Sequence, residues 1–189
     1  AQEQYRSGAF PELAKAGLCD VAFHVDLTQE RKGFKTEQDL NVVRKEYIER
    51  SRGLGITTIF NNTVHAANFH EIPELIQFFV ANSDVVRMVA FQMQADTGRG
   101  ELRKREELIT LPTVRKQIDR GAGTDLAWDT ILIGHHECNR YAPTFVVNGK
   151  VHNVVPDQQL FNDFLEDFKH VTIDRRDNLF KIAWPFFLI

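Results

Sequence analysis

Residues 56–91, ITTIFNNTVHAANFHEIPELIQFFVANSDVVRMVAF, decide the fold. The stretch opens on Ile56-Thr-Thr-Ile-Phe60, β-branched and apolar as a buried strand requires. Ile72, Leu75, Ile76, Phe79 and Val80 then recur at helical spacing, with Pro73 suited to a first turn. Val85-Val-Arg-Met-Val-Ala-Phe91 returns to strand composition. A strand, a helix and a second strand in this order predict parallel pairing through a right-handed crossover, because a helix is the usual way back to the same sheet edge.

The same unit repeats upstream. Phe10, Leu13, Ala14 and Leu18 follow helical spacing after Pro11, and Gly17 closes the segment as a C-cap would. Val21-Ala-Phe-His-Val25 reads as a strand, and Leu40, Val43, Tyr47 and Leu54 mark a helix ended by Gly53 and Gly55. The expected fold is therefore α/β, with parallel strands at 20–26, 56–61 and 85–92, a helix over 71–82, and helices on one face. Such a pattern gives an open α/β sheet or part of a barrel, and the resemblance described below implies the latter, a TIM-like (βα)6 partial barrel. Downstream, Leu108 to Ile118 reads as a strand end running into a helix, and Gly121-Ala-Gly123 breaks the chain. Asn148-Gly149 lies between two β-rich arms and predicts a type I′ hairpin over 144–155, since both turn residues tolerate positive φ. Leu160, Phe161, Phe164, Leu165 and Phe168 predict an amphipathic helix over 158–169. The domains expected are residues 1–120 and a C-terminal extension, 121–189.

Composition narrows the function. With 43% hydrophobic and 26% charged residues, the 189-residue chain has the make-up of a globular domain. A net charge of −3 gives no electrostatic footprint for nucleic acid, and Arg103-Lys-Arg105 is flanked by Glu101, Glu106 and Glu107. The apolar run Ile182 to Ile189 is too short to span a bilayer and contains Pro185, so no membrane span is expected. Two cysteines, Cys19 and Cys138, cannot build a disulfide framework, and the N-terminus lacks a signal-peptide pattern, which points to a cytoplasmic setting. The absence of an initial Met and the apolar end, Trp184-Pro-Phe-Phe-Leu-Ile189, read as those of a fragment rather than of a docked C-terminal strand.

Candidate chemistry gathers where the strands end. Ligands of parallel α/β sheets and barrels bind at the carboxyl ends of the strands. Those ends carry His24-Val-Asp26-Leu-Thr28, Asn61-Asn62-Thr63 and Gln92-Met-Gln94-Ala-Asp96. Alternation puts His24 and Asp26 on one face, as it does Gln92 and Gln94. Asp26 is also placed to cap a turn with Thr28.

Three pieces of the chain resemble the second half of the radical S-adenosylmethionine (SAM) core, in its MoaA-like branch. Ala16-Gly-Leu-Cys-Asp-Val-Ala-Phe-His-Val-Asp26 matches a fourth barrel strand. Leu54-Gly-Ile with Asn62-Thr63-Val64 and Asn68-Phe-His-Glu71-Ile72 matches the fifth, and Ser83 to Gln92 the sixth. The resemblance covers roughly residues 9 to 120. It implies an enzyme in which a [4Fe–4S] cluster gives one electron to SAM, releasing a 5′-deoxyadenosyl radical that abstracts hydrogen from substrate. It further implies that His24 faces the methionyl part of SAM and that Asn62 and Gln92 lie near its ribose and adenine, with Asn61 replacing Asn62 if the register slips by one. The substrate, whether small molecule, peptide or lipid, is not specified by any motif.

The chain departs from that family in one respect. The Cys-x3-Cys-x2-Cys loop that holds the cluster is missing, so its ligands would have to come from an N-terminal half outside these residues, and the chain alone is expected to cleave no SAM. His135-His136-Glu137-Cys138 has the composition of a metal site but no partner pair elsewhere, leaving Cys138 as a single candidate ligand of an auxiliary iron–sulfur centre. A reading from another class remains open, a cluster-free α/β module that binds a small molecule or a protein.

Overall fold

The structure, a computed structural model, describes residues 9–94, 109–131, 135, 137–155 and 157–171. The order of elements is α1 (Ala9–Lys15), β1 (Asp20–His24), α2 (Asn41–Ser51), β2 (Thr57–Val64), α3 (Ile72–Val80), β3 (Val86–Met93), α4 (Leu111–Ala122), β4 (Thr144–Val147), β5 (Lys150–Asn153) and α5 (Gln158–Phe168). By compactness the chain forms two units, Ala1–Leu126 with Thr144–His152, and Ala127–Pro143 with Asn153–Ile189.

In the first unit β1, β2 and β3 form a three-stranded sheet in that order, and both pairings are parallel, as the alternation of helix and strand predicts. One side of the sheet is sealed. Val21, Phe23 and Val25 from β1 and its end, Phe60 from β2, Phe10 from α1, Leu40 and Ile48 from α2 and its cap, and Leu75 and Phe79 from α3 share one buried cluster. An aromatic chain joins these layers. Phe23 lies 5.9 Å from Phe10, 4.4 Å from Tyr47 and 5.6 Å from Phe60, and Phe60 lies 5.2 Å from Phe79. Each ring removes a large apolar area from water, so this face supplies most of the sheet's cohesion.

Two segments differ from the sequence expectation. From residue 111 to 122 the chain is helical throughout, started by Thr110, whose hydroxyl accepts from the Thr113 amide at 3.4 Å while the Thr113 hydroxyl accepts from the Thr110 amide at 2.8 Å. Leu108 lies outside the described residues. Gly121 does not break this helix but sits inside it against α3: a Cβ there would meet the Pro73 carbonyl oxygen at 2.6 Å and the Ile76 Cβ at 2.7 Å. Gly121 thus permits close packing of α4 on α3, and the break falls at Gly123, where φ is +70°.

The hairpin forms at its predicted place, with Asn148 at φ 51° and Gly149 at φ 74°, both in the left-handed region that a type I′ turn requires. In the second unit α5 is capped by the Asp157 carboxylate, which accepts from the Leu160 amide at 2.8 Å. Among the described residues no helix is long and apolar enough to cross a membrane.

Candidate functional site

β2 is the central strand and runs on to Val64, so Asn61, Asn62 and Thr63 are strand residues rather than the start of a loop. A central strand can carry polar residues to its end because both edges of its backbone are paired. Register then sorts the candidates by face. His24 lies beside Asn61 and Ala90, Thr63 beside Gln92, and Asn62 beside Phe91. Between Thr58 and Ile59 the β3 register shifts, skipping Arg87, which brings Met88 level with Ile59.

All three predicted residues sit at the carboxyl end of the sheet, but on two sides. His24, Asn61, Thr63 and Gln92 share the face opposite the helices, together with Ala22, Ile59, Met88 and Ala90. His24 and Gln92 are exposed there, and Asn61 and Thr63 half-buried. Asn62 points the other way. It is 2% exposed, and its side-chain oxygen accepts from the Arg44 guanidinium at 3.4 Å. Asn61, the register alternative, is the one that accompanies His24.

Around Asn62 lies a buried polar network that sequence reasoning missed. Arg44, fully buried on α2, donates to the Glu37 carboxylate, to the Glu37 carbonyl at 2.6 Å, to the Val25 carbonyl at 2.7 Å and to the Asn41 side chain at 2.9 Å. Glu37 in turn accepts from the Leu27 amide at 3.1 Å and from the Asn68 amide group at 2.8 Å. Glu71 accepts from the Gln38 amide at 3.2 Å. Burial pushes the Arg44 guanidinium down from its usual range, against the opposing pull of Glu37. The network ties the segment after β1 to the segment after β2. Its signal in the sequence was the spacing Leu40, Arg44, Ile48, Ser51: a cation on the buried stripe of a helix must find an anion.

Asp26 links this network to the open face. Completely buried, it accepts from the Thr28 amide at 3.0 Å and hydroxyl at 2.5 Å, the capping role expected of it, and also from the Thr63 amide at 2.7 Å and the His24 Nε2 at 2.5 Å. Burial alone would push this carboxyl up. The Thr28 and Thr63 hydrogen bonds and the neighbouring imidazole together outweigh that effect and hold it below the usual carboxylate range.

Cys138 is exposed in the second unit, where its amide donates to the His135 carbonyl at 2.9 Å. Among the described residues no group of three or more His, Cys, Asp or Glu is gathered to hold a metal ion, there or elsewhere. Cys19 is half-buried, with its thiol 3.4 Å from the Gly17 carbonyl.

No protein-family model, curated protein or solved structure matches the chain, so its function has to be argued from this site.

Proposed function

We propose that the first unit is the SAM-facing wall of a radical SAM enzyme, its three parallel strands forming part of a (βα)6 partial barrel whose lumen is the face opposite the helices. The observation that carries this reading is the row of exposed and half-buried polar groups on that face among the described residues. Parallel sheets are normally covered on both sides, and here one side buries the aromatic core while the other presents His24, Asn61, Thr63 and Gln92.

The donor set fits SAM and does not fit the cluster. Imidazole, amide and hydroxyl groups at strand ends suit an amino-acid head, a vicinal diol and a purine edge. Held on rigid strands, they would orient the ligand rather than merely bind it. Asn61 takes the part that the resemblance gave to Asn62, whose side chain is committed to Arg44. Two cysteines in 189 residues cannot supply the three thiolates of a [4Fe–4S] site, so those ligands belong to polypeptide outside this chain.

Titration of SAM into the purified chain tests the reading. Saturable binding is expected, weakened by about 1–3 kcal/mol in Asn61→Ala and Gln92→Ala, the cost of unpairing a buried polar partner. Absence of binding, or wild-type affinity in both variants, would overturn it. The competing reading, a cluster-free module that binds a protein, draws support from Met88 and Met93, exposed at 44% and 41% along the edge strand. A complete coding sequence without a Cys-x3-Cys-x2-Cys loop ahead of residue 1 would favour that alternative.

A further inference from the structure

The most constrained group on this polar face is His24. Its side chain is 48% exposed, whereas that of Asp26, against which it rests, is 0% exposed. Asp26 has no freedom to move: one carboxylate oxygen is held by the Thr28 amide and hydroxyl, the other by the Thr63 amide. That second oxygen also faces the His24 Nε2 at 2.5 Å, and the Thr63 hydroxyl lies 3.2 Å from the same nitrogen. An ionised carboxylate can only accept, so Nε2 must carry the hydrogen. In the neutral imidazole this leaves Nδ1 as a lone pair, and Nδ1 has no partner among the described residues.

We infer that Asp26 fixes His24 as the Nε2–H tautomer, so that Nδ1 stands over the polar face as a hydrogen-bond acceptor and takes an N–H or O–H group of the bound ligand. Nδ1 then selects a donor such as an ammonium or a ribose hydroxyl and disfavours a carboxylate, whose lone pairs would oppose its own. Asp26 is a positioning residue in this arrangement, since it touches the ligand only through the imidazole. The same logic governs metal-bound histidines, where an acceptor on one ring nitrogen sets the tautomer offered by the other. The assignment rests on the SAM reading of this face and sharpens it, because it says which part of SAM His24 meets: the α-ammonium or the ribose rather than the carboxylate.

Two measurements on the 189-residue chain decide it. At a pH where the imidazole is neutral, long-range proton–nitrogen correlation NMR should show His24 with a protonated Nε2 and an unprotonated Nδ1, and a protonated Nδ1 with a bare Nε2 would overturn the assignment whatever the chain binds. The second compares SAM with decarboxylated SAM, which keeps the ammonium and ribose, against the wild type and His24→Ala. His24 is half-exposed, so this variant keeps the fold. It should weaken both probes by a similar factor, about five- to tenfold, the worth of one hydrogen bond. A loss confined to SAM itself would show that His24 meets the carboxylate and would overturn the assignment alone. If the wild type binds neither probe, the SAM reading falls and this assignment of His24 to a part of SAM falls with it.

Discussion

The two faces of the three-stranded sheet are made by the same strands, one residue apart, and they have opposite characters. On the helix side Phe23, Phe60 and Val25 are sealed, and even the charges there, Glu37 and Arg44, are paired. On the other side Ala22, His24 and Gln92 are exposed and mixed in polarity. The contrast between Asn61 and Asn62 shows how local the difference is, since neighbours of identical chemistry are assigned to a surface and to a core by alternation alone. The first face carries stability, and the second is free to carry recognition. Substitutions on the two faces should therefore separate in urea-unfolding and ligand-binding measurements.

The largest effect is expected from breaking the buried ion pair. Arg44→Ala leaves Glu37 charged in a buried site and strips the Val25 and Asn62 oxygens of a donor. Loss of one partner of a buried pair costs about 3–5 kcal/mol, and the urea midpoint should fall accordingly. Arg44→Met with Glu37→Leu, which removes both charges while keeping much of the volume, should recover most of that loss. An Arg44→Ala chain as stable as the wild type would show that the network contributes nothing.

Asp26→Asn should cost about 1.5–3 kcal/mol, the range for hydrogen bonds to a charged group. Its pH dependence has a definite sign. The Asp26 carboxyl is held below its ordinary value in the folded chain, so its contribution is present above the unfolded value near 3.8 and is lost as pH falls through the folded one. The gap in stability between wild type and Asp26→Asn should accordingly narrow as pH falls through the folded Asp26 value. A gap that failed to narrow there would contradict the assignment of Asp26 as an ionised acceptor.

A smaller loss is expected at the α3–α4 contact. Gly121→Ala forces a methyl group onto backbone and Cβ atoms within 2.6–2.8 Å, and overpacking of this kind costs about 1–3 kcal/mol. Had Gly121 been a chain break, Ala would stabilise instead, by restricting the unfolded state. The direction of the change in melting temperature is the readout.

These contrasts also show what the sequence could and could not tell. The alternation of helix and strand was legible because every element has its own apolar period, and the hairpin because Asn-Gly meets a backbone requirement within two residues. Gly121 was misread because a glycine in a helix looks the same whether it ends the helix or admits a neighbour, and only the neighbour, α3, decides. Arg44 was passed over because the stripe through Leu40, Val43 and Tyr47 looked complete, and its partner Glu37 lies in an irregular segment with no periodicity to place it. The α3 and α5 helices make the same point. Both are amphipathic, yet α3 buries Ile72, Leu75, Ile76 and Phe79, whereas α5 leaves Leu160 60% and Leu165 49% exposed. An apolar stripe shows that a helix has a face to cover, while whether it is covered depends on residues distant in sequence.

The smallest effect on stability is expected at Gln92, and it is the most informative for function. Gln92 is exposed at the end of the edge strand on the open face, and no cluster of buried side chains depends on it, so Gln92→Ala should shift unfolding by no more than about 0.5 kcal/mol. Asn62→Ala, one register step away and facing the helices, removes an acceptor of Arg44 and a donor to the Ala90 carbonyl, and should cost about 1–3 kcal/mol. If the open face binds SAM, the order reverses in a titration: Gln92→Ala loses affinity at unchanged stability, and Asn62→Ala, where folded, binds nearly as the wild type does. Were both variants to lose stability and affinity in proportion, the two faces would not be functionally distinct, and the polar residues at these strand ends would belong to the fold alone.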